Sequence, residues 1–341
     1  MPRYIDPPSA VQKSAPRTAV LLVNLGTPRA PTPDAVREYL SEFLSDPRVV
    51  ELPRALWWPV LHGYVLRTRP RRSAEAYAKI WTHDGSPLLL HSARLAAALQ
   101  AEIARRTGGA VMVALAMRYG APSIEETIVR MQTQGVRRIL LLPLYPQYAA
   151  ATTGSALDAM ADVIKPLRWP PELRTINDYH DDPGYLAALA ASVASQWSRH
   201  GRAQKLLLSF HGLPEASARR GDPYFNQCQE TAFRLREVLG LHEEEVLVGF
   251  QSRVGRQRWL QPYTDETVAG LPGDGVKTLD VLCPGFAVDC LETLEEIALR
   301  YRSAFLTRGG MRFTYIPALN VSSEHVTALT QLIMKNLGGW V

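Results

Sequence analysis

Short apolar runs that alternate with amphipathic segments constrain the fold of this chain more than any other feature. Amphipathic, helix-like patterns separate these runs; one begins at Thr32-Pro33-Asp34 and another at Ser123. Further helices are predicted near Pro223–Leu239 and Asp289–Leu306. The predicted strands are Ala19–Leu25, Val111–Met117, Ile139–Leu142, Lys205–Phe210, Val246–Phe250 and Thr278–Cys283. Continuous apolar strands alternating with helices indicate an α/β fold with parallel sheets covered on both faces.

The two halves of the chain repeat the same pattern of strand ends, glycines and prolines. LLVNLGTP (21–28) aligns with LLLSFHGLP (206–214), which places Gly26 on Gly212 and Leu25 on His211. AMRYGAP (116–122) aligns with QSRVGRQ (251–257), and LLLPLYP (140–146) aligns with VLCPGFA (281–287). Three matches in the same order predict a duplicated domain rather than coincidence.

The first half contains an insertion relative to the second. Gly26 and Gly120 are 94 residues apart, whereas Gly212 and Gly255 are 43 apart. We therefore predict an N-terminal domain over 17–165 with an insertion at about 51–90, a C-terminal domain over 166–318 and a C-terminal helix over 319–341 that packs back across the domains. The insertion is rich in aromatic residues and arginines: Trp57, Trp58, Tyr64, Arg67, Arg69, Arg71, Arg72, Tyr77 and Trp81. Such residues suit a lip over a flat, acidic ligand, but composition alone favours a helical excursion with its own small core.

Composition excludes several classes of protein. The 38 basic and 33 acidic residues give a net charge of +5, and the arginines are dispersed without a nucleic-acid-binding motif, so no nucleic-acid partner is expected. Three cysteines favour neither a disulfide framework nor a four-thiolate iron–sulfur cluster. The N-terminus lacks the apolar run of a signal peptide, and no segment approaches the ~20 apolar residues that span a bilayer. The expected location is the cytoplasm.

Two residues at predicted strand ends are candidates for chemistry. His211 follows the run LLLSF and precedes Gly212, and Glu292 lies one turn into the helix after the run LDVLC. In a parallel sheet, ligands bind beyond the carboxyl ends of the strands. Each residue alone is more often structural, but Asp289, Glu292 and Glu296 have the i, i+3, i+7 spacing of one acidic helix face. Such a face suits either a cation or solvent.

Four longer blocks make the pattern specific. LLLSFHGLP, QSRVGRQRWLQPYTDET (251–267), LYPQYAATTGS (144–154) and CPGFAVDCLETLEEI (283–297) together resemble ferrochelatases. The resemblance runs from about Ala19 to the C-terminus and implies two Rossmann-like, chelatase-type domains with the active cleft between them. It also implies insertion of Fe²⁺ into protoporphyrin IX to form protohaem, the last step of haem biosynthesis.

The resemblance assigns roles to individual residues. His211 and Glu292 match the metal and catalytic residues, and Asp289 and Glu296 match a metal path or proton relay. The positions that match porphyrin contacts are Leu25, Tyr77, Ser86, Arg118, Tyr119, Gln251 and Phe286. An arginine of the 67–72 cluster resembles the lip that meets the propionates.

The sequence departs from the family at two points. The chain ends at Val341 without the cysteine-bearing extension of animal members, so we expect Fe²⁺ as a substrate and no resident cofactor or iron–sulfur cluster. Cys290 occupies a position where some members have a second histidine. A monomer with possible peripheral membrane contact through the insertion is expected.

Several alternatives stay open or are disfavoured. Coproporphyrin III is the alternative substrate, and a non-catalytic haem or porphyrin carrier is the binding-protein alternative. A nucleotide-dependent oxidoreductase is disfavoured because no G-x-G-x-x-G motif follows a strand. A cobalt chelatase for early tetrapyrroles is disfavoured because Leu25 and a long insertion replace its expected second histidine and compact chain.

Overall fold

The structure, a computed structural model, describes residues 4–6, 16–255 and 257–341. These form two compact units. The first contains the described residues up to Leu144, with Ala150–Asp178 and Leu329–Val341; the second contains Tyr145–Ala149 and Tyr179–Ala328. Most of the N-terminal segment on which the cytoplasmic expectation rests lies outside the described residues.

The first unit is built on a four-stranded parallel sheet in the order β2-β1-β3-β4. Its strands are β1 (Arg17–Gly26), β2 (Val111–Tyr119), β3 (Val136–Pro143) and β4 (Glu172–Thr175). Its helices are α1 (Pro33–Ser45), α2 (Arg54–Val60), α3 (Leu66–Ile80), α4 (Pro87–Thr107), α5 (Ile124–Thr133) and α6 (Ser155–Ile164), with π-helical turns π1 (Leu61–Val65) and π2 (Ala150–Gly154).

The second unit repeats this topology with the order β6-β5-β7-β8, again all parallel. Its strands are β5 (Lys205–His211), β6 (Val246–Gln251), β7 (Thr278–Leu282) and β8 (Arg312–Ile316). Its helices are α7 (Pro183–His200), α8 (Glu215–Arg219), α9 (Tyr224–Leu239), α10 (Thr264–Gly270), the π-helix π3 (Glu292–Tyr301) and α11 (Arg302–Thr307), with a 3₁₀ turn at Glu243–Glu245. The last helix, α12 (Ser323–Asn336), begins in the second unit and ends in the first.

The two glycines that the sequence aligns have the same structural role. A Cβ on Gly26, whose φ is +107°, would lie 1.8 Å from the carbonyl oxygen of Tyr119. A Cβ on Gly212 would lie 2.8 Å from the carbonyl oxygen of Gln251. Each glycine therefore lets the central strand's end approach the last residue of its neighbour. Together with the common strand order, this confirms the predicted parallel α/β fold.

The helix starts follow local sequence signals. The Thr32 side chain accepts the Ala35 N–H at the start of α1, and Ser123 and Glu126 form a capping box at α5. Each sheet packs an apolar core against its helices, so the strands β1, β3 and β5 are buried over nearly their whole length.

Three sequence-based boundaries differ from the structure. The strands β4 and β8 were not predicted, and because β4 pairs with β3, the first unit extends to Asp178 rather than 165. The last residues, 329–341, belong to the first unit. The helix predicted from Asp289 has π-helical hydrogen bonding from Glu292, so Asp289 lies before it and not on its face. The expectation of one α-helical acidic face through Asp289 is therefore wrong.

The insertion is helical from Arg54 to Ile80, as α2, π1 and α3, and a turn bridged by Thr82 and Gly85 links it to α4. Its large apolar side chains are only partly buried. The Tyr77 side chain is buried, but Leu56, Trp58 and Tyr64 are 67%, 52% and 67% exposed. In the part of the chain that the structure describes, no helix combines the length and apolarity needed to cross a bilayer.

Candidate active site

His211 is the last residue of the central strand β5, opposite Gln251 on β6. Its Nδ1 lies 2.6 Å from the Gly212 carbonyl oxygen. Because a carbonyl can only accept, Nδ1 carries the proton in this hydrogen bond, and the lone pair of the neutral ring is on Nε2. The side chain is half-buried, so Nε2 is prepared to accept a proton or bind a metal.

Glu292 is the first residue of π3, and its main chain is fixed by a buried polar chain. The amide nitrogen Nε2 of Gln251 donates to the Glu292 carbonyl oxygen at 3.0 Å. The other end of that amide, Oε1, accepts from Ser209 Oγ at 2.8 Å, and Ser209 lies 2.9 Å from Thr264 Oγ1. Ser209, Gln251 and Thr264 are 0%, 1% and 0% exposed. The sheet therefore holds the start of π3 through buried hydrogen bonds.

Glu296 lies one turn further along π3 and interacts with the other candidates. Burial raises the pKa of its carboxyl, the Ser252 hydroxyl donates to it at 2.6 Å, and the negative charge of Glu292 raises the pKa further. The hydrogen bond from Ser252 and the positive charge of Arg300 lower the pKa, as does His211 whenever its ring is protonated. His211, Glu292 and Glu296 are thus one electrostatic group at the carboxyl edge of the second sheet. A carboxyl whose pKa is raised in this way holds a proton more readily than an exposed one, which suits Glu296 for passing protons on.

The side chains of this group do not form a closed metal-binding cage. Among the residues that the structure describes, the ligand atoms of His211, Glu292 and Glu296 do not all lie within 4.8 Å of one another. An incomplete set of one imidazole and carboxylates binds a divalent metal less tightly than a four-ligand cage, which favours transfer over storage.

Asp289 has different surroundings from the two glutamates. Its side chain is 6% exposed and accepts from Thr293 Oγ1 at 3.0 Å, Asn320 Nδ2 at 2.7 Å and the Ala318 N–H at 3.3 Å. The Tyr315 hydroxyl also donates to it. The carboxylate is therefore surrounded by donors from the end of β8 and the loop that follows.

The three cysteines, Cys228, Cys283 and Cys290, are free and buried. Burial raises the pKa of each thiol well above its usual value. For Cys290, the charge of Glu292 and a hydrogen bond to its side chain raise the pKa further. Cys290 is thus a neutral thiol beside Glu292.

In the first unit, two of the predicted porphyrin residues form one cluster. Arg118 donates to Asp46 at 2.5 Å and to Ser155 Oγ at 2.6 Å, and the Tyr119 hydroxyl donates to Asp46 at 2.8 Å. Tyr119 is 0% exposed. Burial raises the pKa of the Asp46 carboxyl, but hydrogen bonds from Ser155, the Arg48 N–H and Tyr119 and the charge of Arg118 outweigh it and lower the pKa.

The other predicted residues are placed separately. Ser86 is the residue before α4 and is buried, and Tyr77 packs its ring edge-on to Trp81 at 6.1 Å. Leu25, near the end of β1, and Phe286, after β7, are half-buried. Sequence reasoning missed the supporting residues, which are Asp46, Ser155, Ser209, Ser252, Thr264, Tyr315 and Asn320. Only a polar Ser209 within an otherwise apolar strand gave a signal.

Comparison with solved structures gives the class of fold. The structure matches SirB from Bacillus subtilis with Fe³⁺ at a TM-score of 0.54, with 13% identity over 95% of this chain and 97% of that one. It matches CbiX, described as the terminal enzyme for biosynthesis of sirohaem in denitrifying bacteria, at 0.51, with 15% identity over 94% and 100%. The architecture is therefore that of the two-domain chelatases.

Sequence comparison then gives the family. The ferrochelatase family model matches residues 17–337. Ferrochelatases of Marinobacter nauticus and Teredinibacter turnerae are each 54% identical over 95% of this chain, covering 88% and 89% of those proteins. That of Idiomarina loihiensis is 51% identical over 99% of this chain and 93% of its own length. The chain belongs to the ferrochelatase family, as the four sequence blocks predicted.

Proposed function

We propose that this enzyme inserts Fe²⁺ into protoporphyrin IX to form protohaem, the last step of haem biosynthesis. Family membership makes it a porphyrin metal chelatase, a lyase. The observation that supports the mechanism most is the hydrogen bond from His211 Nδ1 to Gly212, which leaves Nε2 as the accepting atom beside Glu292 and Glu296.

Insertion requires a base for the two pyrrole protons and a loosely held metal. Neutral imidazole is a suitable base near pH 7, since its ordinary pKa is about 6.5. The bond from Nδ1 to Gly212 keeps Nε2 as the accepting atom and stabilises the ring once it is charged, because Nδ1 already donates. His211 thus acts as proton acceptor and metal ligand.

Glu292 acts as the second metal ligand, and Glu296 as the relay that passes protons on. Two carboxylates in a partly buried place repel one another, and a divalent cation or a shared proton relieves that repulsion. The raised pKa of Glu296 is the sign of this repulsion and of burial. A metal held by His211 and Glu292 would therefore release a proton from Glu296 as it arrives.

For the porphyrin we propose contacts from each unit separately. Half-buried Leu25 and Phe286 supply apolar surface, and Arg118 supplies a cation whose position Asp46 fixes. Tyr119 and Gln251 are buried and act by supporting their neighbours, Arg118 and Glu292. Tyr77, Ser86 and an arginine of the 67–72 cluster complete the proposed set.

The proposal extends to cofactors, membrane contact and cellular location. The three buried cysteines are too few for a four-thiolate cluster, so Fe²⁺ is proposed as a substrate and no resident cofactor is assigned. Exposed Leu56, Trp58 and Tyr64 beside arginines suit peripheral contact with an anionic membrane surface. A cytoplasmic monomer without nucleic-acid partners is the proposed state.

Zinc insertion into protoporphyrin IX, followed by fluorescence of the product, tests the activity directly. His211→Ala and Glu292→Gln should each lower kcat about 100-fold or more, since each removes a base or a ligand. His242→Ala and Glu243→Gln are matched controls, because both are exposed residues just before β6, at the opposite end of that strand from Gln251.

The same assay separates the alternatives. A porphyrin carrier would bind protoporphyrin but insert no metal, and near-normal turnover of either site variant would refute the residue assignment. Parallel kcat/KM measurements with protoporphyrin IX and coproporphyrin III decide the substrate. A higher value for coproporphyrin III would overturn the preferred choice while leaving the chelatase activity intact.

A further inference from the structure

We propose that Asp289 carries neither metal nor protons but anchors the first turn of π3, and that Tyr315 and Asn320 position Glu292 through it. This inference rests on the proposed function of Glu292 and replaces the relay role that the sequence assigns to Asp289. Its partners Tyr315 and Asn320 gain a role that no sequence motif indicates.

Four donors contact the carboxylate of Asp289, three of them at Oδ1 and one at Oδ2. An ionised carboxylate has about four lone-pair sites. Oδ1 accepts from the Thr293 hydroxyl, the Tyr315 hydroxyl and the Ala318 N–H, and Oδ2 accepts from Asn320 Nδ2. A metal at this carboxylate would compete with these four donors, of which the Thr293 hydroxyl and the Ala318 N–H are buried and costly to leave unpaired.

Asn320 forms two hydrogen bonds with Asp289. Its Nδ2 donates to the carboxylate at 2.7 Å, and its Oδ1 accepts the Asp289 N–H at 2.9 Å. Its φ of +48° is in the left-handed region, which asparagine tolerates better than most residues. Its own N–H donates to the Ala287 carbonyl at 3.0 Å, so the whole approach to π3 is tied to this residue.

The anchor reaches Glu292 through the next residue in the chain. Thr293 is 0% exposed; its hydroxyl donates to Asp289 and accepts the Cys290 N–H at 3.0 Å. On the other side, Gln251 donates to the Glu292 carbonyl. The Glu292 carbonyl is therefore held by Gln251, and the residues on either side of Glu292, Cys290 and Thr293, are joined by the Thr293 hydroxyl.

Such support matters because a displacement of about 1 Å in a reacting group can cost about 100-fold in rate. Glu292 must meet an ion together with His211 while repelling Glu296, and a loosely held helix start would let the two carboxylates move apart. If these residues only position Glu292, loss of any one of them should lower kcat/KM for the metal and leave the pH dependence of the reaction unchanged.

The test measures kcat, the metal KM and the pH profile of zinc insertion in the full-length protein. Tyr315→Phe removes one hydroxyl, and Asp289→Asn keeps the shape but mismatches the donors. We expect kcat/KM for zinc to fall about 10-fold in the first and about 100-fold in the second, as for a misplaced ligand, with the pH profile unchanged. The double variant should be no worse than Asp289→Asn, because both changes break the same anchor.

Matched variants keep the test decisive. Tyr179→Phe removes a buried hydroxyl that has no hydrogen-bond partner among the described residues and should leave the kinetics unchanged. Thr293→Ser, which keeps the hydroxyl, should retain activity that Thr293→Val loses. Thermal unfolding checks that each variant is folded. If the Asp289 variant does not fold, the comparison of Thr293→Ser with Thr293→Val tests the anchoring role instead.

Three outcomes would overturn the anchor. The first is a Tyr315→Phe variant with wild-type kinetics beside an inactive Asp289→Asn variant. The second is a shifted pH profile in Asp289→Asn, which would make Asp289 a proton carrier, and the third comes from metal binding alone. The visible absorption of Co²⁺ added without porphyrin reports metal binding alone. It therefore distinguishes failure of the anchoring proposal from failure of the proposed function. Glu292→Gln should abolish that spectrum and Tyr315→Phe should alter it even if no metal is inserted; an unaltered spectrum in Tyr315→Phe also contradicts the anchor.

Discussion

The buried histidine of α12, His325, predicts a specific loss of stability in acid. It is 0% exposed; its Nδ1 donates to the Asn320 carbonyl oxygen at 2.7 Å, and its Nε2 has no hydrogen-bond partner among the described residues. Burial lowers its pKa from 6.5 to about 4, although the bond to Asn320 opposes the shift. A proton on Nε2 would be buried without an acceptor.

The magnitude follows from proton linkage. Between pH 4 and 6.5 the unfolded chain binds more protons at this residue than the native one, so the free energy of unfolding falls as the pH drops through this range. With pKa values of 6.5 unfolded and about 4 folded, His325 costs about 2 kcal/mol at pH 5 and almost nothing at pH 7.5.

Replacement by asparagine isolates this contribution. His325→Asn offers an amide N–H in place of Nδ1–H but cannot titrate. Urea unfolding of both proteins at several pH values should show the free-energy difference move by about 2 kcal/mol in favour of the variant between pH 7.5 and 5. The exposed His242→Asn serves as control. A difference that is independent of pH would refute the reasoning.

Three further predictions concern other groups. Glu296→Gln should slow metal insertion. Because burial raises the pKa of the Glu296 carboxyl, the stability of this variant relative to wild type should rise as the pH increases above 4.5. Thermal unfolding measures this stability, and a fall in the relative stability of the variant would contradict the prediction. Asp46→Asn leaves Arg118 without its buried partner and should cost about 3–5 kcal/mol at pH 7 by urea unfolding. That cost should shrink as the pH falls through 3.8 and below, since the pKa of Asp46 is lowered. Trp340→Ala removes a ring that Arg174 covers at 4.1 Å and should cost about 3–5 kcal/mol; a loss below 1 kcal/mol would show that this end of the chain contributes little.

Most of the fold could be predicted because its central strands carry continuous apolar runs. The two strands that were missed, Glu172–Thr175 and Arg312–Ile316, lie at sheet edges and are only partly buried, so they lack such a run. Their omission also moved the predicted boundary between the units, because an unrecognised edge strand leaves its residues unassigned.

The candidate site was predicted in part. His211 stands out because a polar residue ends an apolar strand before a glycine, and Glu292 because it follows the next strand's end. Helical spacing misplaced Asp289, because residue intervals do not show where a helix begins and this one begins after Asp289. Supporting residues such as Tyr315 and Asn320 are distant in sequence, and only the folded chain brings them to Asp289.

The three buried cysteines have a consequence for an enzyme that handles ferrous iron in the presence of oxygen. Ferrous iron and oxygen generate peroxide, and peroxide attacks thiolates rather than thiols. Because burial keeps the thiols of Cys228, Cys283 and Cys290 protonated, none offers the anion that oxidation requires. We therefore expect these three thiols to react slowly with peroxide, which thiol titration of the folded protein after peroxide treatment measures.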